Sequence, residues 1–115
     1  MLTKLFNSID NMDAAKFASF LTEDASFKFG SQPTVIGRKN IEKFVAGFFS
    51  SIKRLEHKVT RNFSEKNTLI CEGIVTYTRL DEKNVSIPFV NFLEISGDKI
   101  NNYKIYIDPT PLFAS

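Results

Sequence analysis

Between Arg38 and Ile52 the apolar side chains fall at Ile41, Phe44, Val45, Phe48, Phe49 and Ile52, the i, i+3, i+4, i+7, i+8, i+11 series of one helix face. This spacing predicts a long helix. Shorter versions of the pattern upstream predict two brief helices. Thr3 can cap a segment carrying Leu5, Phe6 and Ile9, and Asp13 can cap one carrying Phe17, Phe20 and Leu21. Ala25 to Phe29 alternates as a short strand, with Phe27 and Phe29 on one side and Ser26 and Lys28 on the other, until Gly30 to Pro33 breaks it.

After the long helix the period changes to two. Leu55 to Phe63 sets Leu55, His57, Val59, Arg61 and Phe63 against Glu56, Lys58, Thr60 and Asn62, and Thr68 to Leu80 is nearly continuous in apolar and β-branched residues. The turn Asp81 to Asn84 leads into Val85 to Ile95, and Ser96-Gly97-Asp98 leads into a last strand that ends on Asp108 before Pro109. Helices followed by a meander make an α+β fold: N-terminal helices packed in the concave face of a curved antiparallel sheet, with a pocket on that concave side.

Parity assembles the concave face. If Glu56, Glu72 and Glu94 face water, then His57, Arg61, Tyr77, Arg79, Phe89 and Asn91 face the hollow, and the last strand is expected to add Lys104, Tyr106 and Asp108. Asp108 draws attention because a carboxylate among apolar neighbours loses several kcal/mol on desolvation unless it is paired, hydrogen-bonded or protonated. The outward side chains Ile70, Ile74, Thr76, Val90 and Phe92 would leave an apolar patch in water, which predicts a homodimer.

Composition narrows the possibilities. A chain of 115 residues fits one domain, 1–115, with a core of its own. Its 12 phenylalanines, with no tryptophan, can wall a dry space as readily as fill it. Cys71 is the single cysteine, so no intramolecular disulfide forms and a small buried hydrophobe is expected there. No basic-then-apolar leader opens the sequence and no apolar run approaches a membrane span, which points to the cytoplasm. The formal charge of +2 is well mixed, and the basic stretch Lys53 to Lys66 is interrupted by Glu56 and Glu65, so neither nucleic acid nor membrane is expected as a partner. There is no Gly-rich phosphate loop, no nucleophile in a recognisable setting and no metal-spaced His/Cys cluster; no cofactor or metal is expected.

The stretches IDNMDAAKFASFLTEDASFKFG, VIGRKNIEKFVAGFF, EGIVTYTRLD, PFVNFLEISGDKI and YKIYIDPTPLF, in that order, resemble the nuclear transport factor 2-like (NTF2-like) superfamily, and most closely its SnoaL-like, or ketosteroid-isomerase-like, branch. The resemblance spans essentially the whole chain and implies a cone-shaped, cystatin-like α+β fold. Ketosteroid isomerases combine an aspartate base with an oxyanion hole of a tyrosine and a protonated aspartic acid. Alignment puts Phe29 at the base, Leu5 at the tyrosine and Asn91 at the protonated acid, so only a hydrogen-bonding group at Asn91 carries over. Limonene-epoxide-hydrolase-like members use Arg-x-Asp on one strand and an Asp on the last; Arg79-Leu80-Asp81 and Asp108 match that spacing, although Asp81 opens a polar hairpin.

Three readings follow. In the first, a small, largely apolar, ring-bearing or carbonyl-bearing metabolite binds in the cone, Asp108 and His57 act as an acid/base pair, Asn91 and Tyr77 orient a substrate oxygen, Arg79 holds Asp108, and Tyr106, Phe29 and Phe89 complete the site. In the second, the chain is a non-catalytic ligand-binding or assembly module in which Asp108, His57 and Arg79 form a structural network. A cavity below roughly 300 Å³, or one filled by its own phenylalanines, favours it. In the third, Arg79, Asp81 and Asp108 hydrolyse an epoxide.

Overall fold

The structure is a computed structural model and describes residues 1–113. Its elements are α1 (Leu2–Asp10), α2 (Ala14–Ala18), β1 (Leu21–Phe29), β2 (Val35–Ile36), α3 (Arg38–Ser50), β3 (Ile52–Glu65), β4 (Thr68–Arg79), β5 (Asn84–Ser96), β6 (Lys99–Ile107) and α4 (Thr110–Phe113). Asp13 caps α2 as its spacing predicts, accepting from the Lys16 backbone N–H at 3.0 Å. Thr3 caps nothing: α1 begins two residues earlier than a Thr3 cap would set it, with Met1 as a cap that makes no side-chain bond. Two residues assigned to helices start strands instead. Leu21 opens β1, and Ile52 opens β3 immediately after the Ser51 cap of α3. In both cases an inward apolar position ends a helix stripe and begins a strand, so periodicity alone cannot divide them.

The sheet runs in the order β2-β1-β6-β5-β4-β3. The β3 to β6 meander is antiparallel, whereas β1 lies parallel to β6 and makes the sheet mixed. A parallel neighbour follows from connectivity: β1 reaches the sheet from the helical layer and α3 carries the chain across to β3, so no hairpin couples β1 to β6. Bulges between Ile52 and Arg54 and between Val59 and Arg61 break the β3 register and bend that strand. At Gly73 a Cβ would stand 2.2 Å from the Lys58 carbonyl oxygen and 3.0 Å from Phe89 Cζ, so only glycine lets β3 and the Phe89 ring close over this point of β4.

The core lies between the helices and the inner sheet face. Ile41, Val45 and Phe49 of α3 and Leu5 and Phe6 of α1 belong to one buried cluster with Leu93, Ile100 and Tyr103 of the sheet. Tilted and edge-on aromatic contacts link the layers, with ring centroids 5.8 Å apart for Phe27–Phe44, 5.3 Å for Phe29–Phe48 and 5.8 Å for Phe48–Tyr77. Among the described residues no helix is long and apolar enough to cross a membrane.

Candidate functional site

The helices do not fill the hollow completely. A cavity of about 50 Å³ remains, walled by phenylalanines of β1, α2, α3 and β5 and reached by His57, Tyr77, Asn91 and Tyr103. Phe44 and Phe48 on α3 are only half-buried and stand between this space and solvent.

His57 forms one polar pole. It projects inward from β3 against Phe6 and Phe89, with ring centroids at 4.8 and 5.3 Å. Its Nδ1 lies 2.7 Å from Asp10 Oδ1, and its backbone N–H donates to Asp10 Oδ2 at 3.1 Å. A carboxylate only accepts, so the pair assigns the ring proton to Nδ1 and leaves Nε2 as the basic nitrogen. Asp10 is the last residue of α1, and α1 packs on β3; the helix end thereby delivers its carboxylate to the strand.

Asn91 forms the other pole. It is 2 % exposed, and its Nδ2 faces the Tyr103 hydroxyl at 3.5 Å. Its backbone and side chain also bond the Cys71 thiol across the β4–β5 register. Asn91 Oδ1 is the one buried side-chain polar atom, among the described residues, that has no partner. Leaving such an oxygen unsatisfied costs about 1–3 kcal/mol. Burial pushes the Cys71 thiol up to about 11 and raises the Tyr77 and Tyr103 phenols well above their ordinary value. All three are therefore neutral at physiological pH, the phenols being donors and acceptors rather than charges.

Among the residues predicted from sequence, His57, Tyr77, Asn91, Phe29 and Phe89 line the cavity together. Asp108, Tyr106, Lys104, Arg61 and Arg79 do not. The parity of the last strand is the reverse of the expected one: Tyr103, Ile105 and Ile107 turn inward, and Lys104, Tyr106 and Asp108 face water. The cause is the pairing of β6 on both sides. Phe27 and Phe29 register with Tyr103 and Ile105 on the β1 side, and Asn91 registers with Ile105 on the other, and partners in register share a face. Tyr106 consequently packs edge-on against Phe92 on the outer face, with centroids 5.6 Å apart.

Asp108 is fully exposed. Its Oδ1 accepts from the Thr110 backbone N–H at 3.0 Å and hydroxyl at 2.6 Å, and these bonds hold its carboxyl below the usual carboxylate range. The desolvation that made it a candidate is absent, and the carboxylate partner of His57 is Asp10. Arg79 pairs with Asp81 at 3.1 Å on the β4–β5 hairpin, where Asp81 Oδ1 also accepts from Lys83 N–H at 3.2 Å. None of Arg79, Asp81 and Asp108 lines the cavity, so the Arg79-Asp81-Asp108 set is not assembled around it. The second β3 bulge turns Arg61 outward onto Glu72 at 3.1 Å and over the Phe63 ring at 5.2 Å. Sequence reasoning missed Asp10, which no local pattern distinguishes from a helix-end acid. It also missed Tyr103, although the apolar run Tyr103, Ile105 and Ile107 against Lys104 carried the correct face.

Helices clasped by a six-stranded mixed sheet, with a narrow apolar cavity and a few polar groups at its poles, define a protein of the cone-shaped NTF2-like fold. The chain belongs to the SnoaL-like domain family, whose model matches residues 2–103. Similar solved structures include an NTF2-like protein of unknown function from Burkholderia pseudomallei, with 10 % identity, TM-score 0.87 and coverage of 96 % of this chain and 90 % of that one. A protein of ketosteroid isomerase-like fold from Catenulispora acidiphila, solved with trimethylamine, matches at 14 % identity and TM-score 0.84 over 91 % of this chain and 82 % of that one. An LEH-like epoxide hydrolase of M. tuberculosis matches at 14 % identity and TM-score 0.82 over 97 % and 83 %. These likenesses establish the fold. No curated protein sequence matches the chain significantly.

Proposed function

We propose that this SnoaL-like protein binds a small, largely apolar molecule in the cone and moves a proton on it through His57, with Asp10 as the residue that positions the imidazole. The observation that carries this reading is the 2.7 Å Asp10–His57 contact on the wall of an otherwise hydrocarbon cavity. A carboxylate on Nδ1 holds one tautomer and stabilises the imidazolium that forms when Nε2 takes a proton. Tyr77 and Tyr103, neutral and buried, supply hydrogen bonds to a substrate oxygen. Isomerisation, cyclisation and water addition all fit that chemistry, and the ligand known from the C. acidiphila protein accords with a small occupant.

The test is hydrogen–deuterium exchange, followed by NMR, at the acidic carbons of a panel of small cyclic ketones. Exchange above the buffer rate that disappears in His57→Gln supports the reading. A folded protein that binds panel members without exchanging them refutes the catalytic part.

A second reading, a non-catalytic module of the same fold, is favoured by the cavity volume. At about 50 Å³ the space lies well below the roughly 300 Å³ at which drug-sized pockets begin, and the protein's own phenylalanines wall it. Entry of even a single ring requires Phe44 or Phe48 to turn aside, which their half-exposed positions permit. We also propose a homodimer through the outer sheet face, where Ile74 and Phe92 remain 43 % and 38 % exposed beside Tyr106. A reducing, cytoplasmic setting accords with the free thiol of Cys71.

A further inference from the structure

The cavity carries its own stopper. Phe48 of α3 is half-buried; its ring lies 5.3 Å from that of Phe29, centroid to centroid, and stands edge-on to Tyr77 at 5.8 Å and 78°. Phe29 and Tyr77 both line the cavity. An aromatic ring therefore already fills the slot between a side chain of β1 and a phenol of β4, and that ring belongs to the protein. Phe44, the other half-buried phenylalanine at this boundary, meets one ring among the described residues, Phe27 at 5.8 Å. The space left free is about 50 Å³, whereas an apolar cavity that takes benzene measures roughly 150 Å³. With Phe48 in place a further ring does not fit. With Phe48 withdrawn, an incoming ring inherits its contacts to Phe29 and Tyr77.

The helix end that holds Phe48 is weakly built. At Gly47 a Cβ would meet nothing within 4 Å, so packing does not ask for glycine at a position where glycine is a poor helix former. The last turn of α3 has no basic side chain, and the helix ends on Ser51 at φ −90° rather than on a left-handed glycine. The Ser50 hydroxyl donates to the Gly47 carbonyl at 2.7 Å and the Ser51 hydroxyl to the Phe48 carbonyl at 2.6 Å. Such side-chain bonds offer the carbonyls an alternative to the helical ladder. Phe49 and Ile52, by contrast, are buried in the core and anchor the chain just beyond.

We propose that Phe48 is an autoinhibitory plug: its ring occupies the ligand's place, and the last turn of α3, loosening at Gly47 while Phe49 stays in the core, withdraws it to admit an aromatic ring of the ligand. The proposal rests on the ligand-binding reading above and adds a control on the same cavity. Opening and binding form one linked equilibrium, so the apparent affinity is scaled by the fraction of molecules with the plug withdrawn. Stiffening the last turn therefore weakens binding without touching the ligand.

Benzene is the probe, titrated into the unaltered chain, Gly47→Ala and Phe48→Ala and followed by NMR. Gly47→Ala is expected to raise the melting temperature and to weaken benzene binding about two- to fivefold, the range set by the difference between glycine and alanine inside a helix. In the unaltered chain, bound benzene should show NOEs to Phe29 and Tyr77 while Phe48 loses its own NOEs to Tyr77, and Phe48→Ala should bind benzene several-fold tighter. A stabilised Gly47→Ala with unchanged or stronger benzene binding overturns the loosening at Gly47. Phe48 still against Tyr77 in the bound state overturns the plug. Either result leaves the cavity as a ligand site. Binding confined to Phe48→Ala also overturns the proposal, because the plug then never yields. Benzene bound to none of the three proteins at millimolar concentration overturns both this proposal and the ligand-binding reading beneath it.

Discussion

Asp10 grips His57 at two points, with one carboxylate oxygen on the ring Nδ1 at 2.7 Å and the other on the His57 backbone N–H at 3.1 Å. The acid ends a helix and the imidazole sits in a strand 47 residues later, so the contact ties α1 to the sheet edge as well as fixing the ring. Removing it has a structural and a chemical consequence that separate. Asp10→Asn should lower stability by about 1.5–3 kcal/mol, the range for a hydrogen bond to a charged group, as read by urea denaturation. In ¹⁵N spectra of the wild type, His57 should show a single tautomer protonated at Nδ1, and Asp10→Ala should give a tautomer mixture. An unchanged ¹⁵N pattern in the variant would remove Asp10 from its positioning role.

Gly73→Ala should be among the most damaging single changes in the chain. The added methyl would sit 2.2 Å from the Lys58 carbonyl oxygen, a backbone atom that cannot move without opening the β3–β4 ladder. A loss of about 3 kcal/mol is expected. Equilibrium unfolding measures it, and a wild-type midpoint would show that the β3 bulge is not held by this close approach.

Alkaline pH should destabilise the fold through three buried neutral groups. The Cys71 thiol is raised from 9.0 to about 11, and the Tyr77 and Tyr103 phenols are raised in the same direction, all chiefly by desolvation. A raised pKa means that the unfolded chain ionises first. The stabilisation is fully present below the unfolded values and is lost as pH rises through the folded ones. The melting temperature should therefore be flat from pH 7 to 8.5 and fall from about pH 9 upward, and Cys71 should resist thiol reagents at pH 8 until the protein unfolds.

Asp108→Asn should leave pocket binding and His57-dependent exchange untouched, because the side chain lies on the surface and serves the first turn of α4. Its carboxyl should titrate below an ordinary aspartate in NMR, and Thr110→Ala should return it upward by removing the hydroxyl bond. The sign is that of a depressed acid: its contribution is present above the unfolded value and disappears as pH falls through the folded one. Loss of turnover in Asp108→Asn would reinstate it as part of the site.

Phe92→Lys places a charge beside Tyr106 on the outer face and should convert a dimer to a monomer in light scattering at micromolar concentration, with no effect on His57-dependent exchange in the cone. A wild-type monomer at that concentration would refute the dimer.

The residues that carried their role in the sequence are those whose periodicity had one solution. The α3 stripe Ile41, Val45 and Phe49 could face only a core, and the β4–β5 parities of Tyr77, Phe89 and Asn91 followed from outward glutamates on the same strands. Order of elements, fold class and most of the cavity wall were legible on that basis, since alternation within an element is a local property of the backbone. The last strand offered no such anchor. Tyr103, Ile105 and Ile107 are its more apolar set, but Lys104, Tyr106 and Asp108 alternate as regularly, and the registers with β1 and β5 fixed the apolar set in the hollow. Two further features belong wholly to the tertiary structure: the β3 bulge that turned Arg61 out, and the approach of the α1 end that brought Asp10 to His57. Each depends on where separate elements meet, and that is set by packing between faces, a quantity that no stretch of sequence contains by itself.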